Sequence, residues 1–180
     1  SKWRKLDNAA LAFPPATDKN DTRVFRMYCE LTEEISPQIL QDALDRTMKK
    51  YPLFQVVLRK GLFWFYLERR DIRAVAKEEK KPPCSRLYIP DKKSLLFEVS
   101  YYENRINFEV YHALTDGTGA RNFLQELVQN YLILRHPEAG LPYIKTEENP
   151  LSGITRRTVF LSIIPRKHLK IKIKIPGQCL

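Results

Sequence analysis

The chain has 180 residues, 43% of them hydrophobic, which suffices for one domain with a real core. No run approaches the ~18 apolar residues of a membrane span, and SKWRKLDNAALAFPP lacks the apolar stretch of a signal peptide, so a cytoplasmic protein is expected. The net charge of +10 is uneven: residues 154–180 hold seven Lys or Arg and no acid, leaving +3 on the other 153, so a nucleic-acid-binding domain is not indicated.

From Thr22 to Leu31, Val24, Arg26, Tyr28 and Glu30 alternate with Phe25, Met27, Cys29 and Leu31, which predicts a strand. Ser36-Pro37 supplies a cap and a first-turn proline for a helix. Ile39, Leu40, Ala43, Leu44, Thr47 and Met48 carry that helix toward Tyr51, where Pro52 ends it. PLFQVVLRKGLFWFYLE predicts a hairpin turning at Lys60-Gly61. Arg69 to Lys81 is charged and predicts a short surface helix, with KEEKK as its solvated face. A second hairpin pairs Ser94–Tyr102 with Arg105–His112 across Glu103-Asn104, and Ile106, Phe108, Val110 and His112 share one face of it. Gly119 to Arg135 predicts a helix whose stripe is Phe123, Leu124, Leu127, Val128, Tyr131 and Leu132, closed by Pro137. This order defines an α+β fold, a two-layer sandwich of helices packed on a mostly antiparallel sheet.

Residues 1–150 form the expected domain and 151–180 a basic tail, which reads as an altered or truncated carboxyl end. Its KIKIKI run suits an edge strand whose lysines deter pairing, or an end without regular structure. Cys29, Cys84 and Cys179 are odd in number and lack zinc-site spacing, so neither a metal nor a disulfide framework is expected. Cys84, beside the cations of KKPPCSR, reads first as a free loop thiol and second as a thiol of depressed pKa.

The stretch INFEVYHALTDGTGARNF brings His112 to the end of a strand, before a loop with two glycines and a helix. A strand end beside a glycine loop gives a rigid base and room for substrate approach. With a reference pKa of ~6.5, histidine suits general-base work near neutral pH. The plainer reading makes His112 a core histidine beside Ile106, Phe108 and Val110. Asp116 and Thr118 are then alternative helix caps, and Gly117 and Gly119 turn residues.

YHALTDG in this strand–loop–helix setting resembles the HxxxDG motif of the CoA-dependent acyltransferase superfamily. That group holds chloramphenicol acetyltransferase-like enzymes, alcohol acetyltransferases, plant-type BAHD acyltransferases and condensation domains of peptide synthetases. Tyr111 stands where condensation domains usually carry a first histidine. KWRKLDNAALAFP is similar to the start of bacterial alcohol acetyltransferase-like proteins, so the resemblance covers about residues 1 to 140. It implies a chloramphenicol acetyltransferase-like half-fold and acyl transfer from a CoA or carrier-protein thioester to a small-molecule alcohol or amine, with no permanently bound cofactor. His112 would be the catalytic base, Asp116 a structural aspartate paired with an arginine, and Gly117 the glycine of the tight turn. Most such proteins have two halves, so the resemblance also implies either a homo-oligomer or a missing second half-domain. An inactive or partner-dependent half is the alternative, and nucleic-acid binding through the basic tail a more distant one.

Overall fold

A computed structural model describes residues 3–5, 23–62, 65–89 and 93–144. The boundary at 150, the basic tail with its KIKIKI run, and Cys179 lie outside the described residues. Strands β1 (Trp3–Lys5), β3 (Val56–Lys60) and β4 (Phe65–Arg69) form an antiparallel sheet in the order β1-β4-β3. Strands β2 (Val24–Glu30), β5 (Lys77–Glu78), β6 (Phe97–Tyr102) and β7 (Arg105–Tyr111) form a second sheet in the order β2-β7-β6-β5. Among the described strands its only parallel pair is β5 with β6. Both expected strand pairs therefore form, in separate sheets, but Lys60 pairs with Phe65 inside the first ladder, so that connection spans 61–64 and not the expected Lys60-Gly61 turn.

Helices α1 (Pro37–Met48) and α2 (Gly117–Arg135) lie side by side over one face of the four-stranded sheet. Period-two alternation aims Phe25, Met27 and Cys29 of β2 and Ile106, Phe108 and Val110 of β7 at the helices, and all six are buried. Phe123 of α2 stacks on Phe108 at 4.5 Å between ring centroids and on Phe54 at 4.9 Å. Every residue of the predicted α2 stripe is buried. Between the helices, the Asn130 amide donates to Thr47 Oγ1 at 3.0 Å, which satisfies a polar pair in the dry seam. Ser36 caps α1 without using its hydroxyl; its backbone N–H donates to the Tyr131 hydroxyl at 2.9 Å instead.

The surface helix expected over 69–81 does not form. Residues 70–76 run extended into β5 because Gln41 of α1 grips their backbone: its amide donates to Ala74 O at 3.0 Å and accepts from Ala76 N–H at 2.9 Å. Continuing the parallel ladder, Glu79 N–H donates to Tyr101 O at 2.9 Å. KEEKK is not uniformly solvated either, since Glu79 turns inward to Arg26 and Arg105. A charge run read along the chain does not reveal a buried partner 50 residues away in sequence.

Candidate active site

His112 is the first residue past β7. Its backbone N–H donates to Arg23 O at 2.9 Å, and one residue earlier Tyr111 N–H donates to Leu96 O at 2.8 Å. The neighbouring strands β2 and β6 thus fix the end of β7 from both sides. Arg23 reaches this position with φ of 54°, in the left-handed region that a non-glycine residue seldom occupies. Ile106, Phe108 and Val110 are fully buried, whereas His112 is only half-buried. His112 thus sits at the margin of the apolar face and not in its centre. Its imidazole lies 4.4 Å from the Phe25 ring, tilted by 39°. That aromatic ring, itself buried, limits the orientations open to the imidazole.

The turn after His112 is anchored by buried Ala113 and Leu114, and Leu114 N–H donates to Tyr111 O at 2.8 Å. Asp116, not Thr118, caps α2: its carboxylate accepts from Gly119 N–H at 2.8 Å. A carboxylate here offsets the positive end of the helix dipole. Among the described residues no arginine pairs with Asp116, so the ion pair that the resemblance implies is not part of the described turn.

Gly117 is the first helical residue, and a Cβ there would meet nothing nearer than Met27 Cε at 3.9 Å. At Gly119 a Cβ would overlap Thr115 Oγ1, so a larger residue there would force the Thr115 side chain to move. The sequence signal was the second glycine of TDGTG, but the backbone approach behind it needs the folded turn.

On the sheet face opposite the helices, Arg26 donates through Nε to Glu109 at 2.8 Å, and its guanidinium also pairs with Glu79. Arg105 donates to Glu79 at 2.8 Å, the Asn107 amide donates to the same carboxylate at 3.1 Å, and Cys84 N–H donates to Glu109 at 2.6 Å. Burial works to raise the Glu79 carboxyl, but hydrogen bonds and charge from Arg26 and Arg105 outweigh it and hold the pKa below its usual value. This network braces β7 just before His112. Sequence alternation placed Arg26 on a strand face but could not pair it with Glu109, because the pairing needs the β2–β7 register.

The free-thiol reading of Cys84 is corrected: it is disulfide-bonded. Cys29 is free and buried. Among the described residues there is no cluster of three or more His, Cys, Asp or Glu able to hold a metal ion. Nor is any helix among them long and apolar enough to cross a membrane.

No protein-family model matches this chain, and no curated protein matches its sequence. Its likeness is to solved structures, and it shows the fold: the chain superposes on part of a condensation domain and of two proteins of similar architecture. The starter condensation domain of rhizomide synthetase RzmA superposes with a TM-score of 0.62 at 13% identity, over 76% of this chain and 39% of that one. Polyketide synthase associated protein 5 from Mycobacterium tuberculosis does so at 0.57 and 19%, over 75% and 34%. Tallysomycin biosynthesis protein TlmII gives 0.56 and 13%, over 88% and 45%. A mutant of the RzmA domain in complex with C8-CoA matches at 0.53 and 12%, over 64% and 31%. The chain thus spans less than half the length of the structures it resembles.

Proposed function

We propose that this chain is the amino-terminal half of an acyltransferase that moves an acyl group from a CoA or carrier-protein thioester to a hydroxyl or amine. The observation that carries this reading is the placement of His112. It is half-buried in the turn between β7 and α2, held by Arg23 O and the Phe25 ring, within an acyltransferase-type fold. The C8-CoA complex of the RzmA mutant supports an acyl-CoA as the donor class.

In this reading His112 removes the acceptor proton as the acceptor oxygen or nitrogen attacks the thioester carbonyl. The new C–O or C–N bond forms, the C–S bond breaks, and the proton passes from the imidazole to the departing thiolate. Concerted removal is required by magnitude. A hydroxyl with a pKa near that of water, ~15.7, lies roughly 9 units above histidine, so prior ionisation would cost about 12 kcal/mol. Asp116 and Gly119 act through the backbone, Asp116 by closing the helix start and Gly119 by letting α2 approach Thr115.

The matched region is 39% of the RzmA domain, so a second wall for the site would come from residues outside this half. A second half-domain or another copy of the chain would serve, and without either the half would be inactive. The test is thiol release from acetyl-CoA and octanoyl-CoA with a panel of alcohols and amines, comparing the protein with its His112→Ala variant. General-base loss should slow transfer by about 100- to 10,000-fold. Equal rates in both proteins would refute the role of His112. Activity that appears only in an oligomer, or on adding a second half, would establish the partner-dependent form.

A further inference from the structure

Outside the 112–119 turn, a cleft of about 290 Å³ opens along β6. Strand β5 pairs with β6 only at Lys77↔Ser100 and Glu78↔Tyr101. Upstream of that point Gln41 grips Ala74 and Ala76, and the segment from Ile72 to Val75 forms one wall of the cleft, with Ser94 to Val99 as another. The floor is apolar, with Ala74, Leu87, Leu95, Phe97 and Val99. Because Leu96 O is spent on Tyr111 of β7, alternation turns the backbone N–H and C=O of Phe97 toward the cleft side.

The mouth carries four cations, Arg73, Lys77, Lys81 and Arg86. Glu98 answers Lys77 at 3.7 Å and Lys81 at 3.9 Å, and Asp45 holds Arg73 in a two-pronged pair. Among the described residues, two carboxylates against four cations leave two positive charges at the rim of an apolar hollow. The chain's own basic tail has the wrong sign to fill it, with seven cations and no acid over residues 154–180.

We infer that this cleft binds a small amphipathic anion, an aliphatic chain ending in a carboxylate. The alkyl chain would cover the Leu95–Phe97 wall, and the carboxylate would meet Arg86 and Lys81. At about 290 Å³ the cleft is at the small end of ligand pockets, which start at roughly 300 Å³, so a short chain such as octanoate suits it. None of residues 112–119 lines the cleft, so this site stands or falls independently of His112.

Calorimetric titration with octanoate, octanol and inorganic phosphate tests it. Octanoate should bind at one saturable site, weakened by salt. Octanol and phosphate should each bind about tenfold more weakly or less, since a charge-assisted hydrogen bond is worth a factor of that order. The Lys81→Glu/Arg86→Glu variant changes two exposed side chains and should lose octanoate binding by about tenfold or more while melting like the parent. Ala74→Leu, which fills the floor, should also abolish binding. The inference is overturned if octanol binds as well as octanoate, if phosphate alone matches it, or if both variants keep the parent affinity.

Discussion

Gly119→Ala probes the turn that presents His112. The new methyl would overlap Thr115 Oγ1 and come within 3.4 Å of Thr115 Cβ and 3.5 Å of Asp116 Oδ1. In an unhindered helix interior the change would stabilise by about 0.8–1.0 kcal/mol. Here it must instead drive the Thr115 side chain off its rotamer, at about 0.5–1.5 kcal/mol, or push the start of α2 away. The second route loses the Asp116–Gly119 cap bond, worth typically ~1 kcal/mol. Overpacking of this kind costs about 1–3 kcal/mol, so a net loss of about 1–2 kcal/mol is expected. For a chain of this size that lowers Tm by about 2–8 °C. Adding Thr115→Ala removes the overlapping oxygen, so the double variant should recover at least about 1 kcal/mol relative to additivity. Urea unfolding of the four proteins in the cycle measures this coupling. Gly119→Ala alone stabilising the protein, with no coupling to residue 115, would refute the close approach.

The buried network behind β7 should respond as a unit. Arg26→Met leaves Glu109 and Glu79 short of a cation and should cost about 3–5 kcal/mol. Arg26→Met with Glu109→Gln should cost clearly less than the sum of the single changes, and additive losses in urea unfolding would contradict the pairing. Glu79 has a folded pKa below its unfolded value of about 4.3, so it stabilises above that pH and the contribution fades as acid protonates the folded carboxylate. Stability measured from about pH 7 to about pH 3 should therefore fall less steeply in Glu79→Gln than in the parent; parallel acid limbs would argue against it. Burial, helped by the charge of Glu30, pushes the Cys29 thiol up to about 12, so it should resist an aromatic disulfide reagent at about pH 8 until the protein unfolds. Fast modification of the native protein would show that Cys29 is not buried.

Periodicity made much of the fold legible. Alternation in β2 and β7 and the helical stripe from Phe123 to Leu132 are local patterns, and local sterics suffice to impose them. The Glu103-Asn104 turn was readable for the same reason, with Glu103 taking the left-handed φ of 50° that a two-residue connection requires. The 69–81 segment was misread because its conformation is set from outside, by Gln41 and by the edge of β6.

At the candidate site the division is equally physical. The residue types and spacing of YHALTDG, which lie within one turn of chain, were enough to single out His112, Asp116 and Gly117 and the class of fold around them. Only the tertiary structure decided that His112 is partly buried against Phe25, that Asp116 spends its carboxylate on the helix start, and that a Cβ at Gly119 would displace the Thr115 side chain. The first outcome depends on which strand lies beside β7, which packing among distant segments sets and no local pattern encodes. The other two are decided within the turn 115–119, where the sequence offered more than one cap and more than one glycine and only the folded backbone chooses between them.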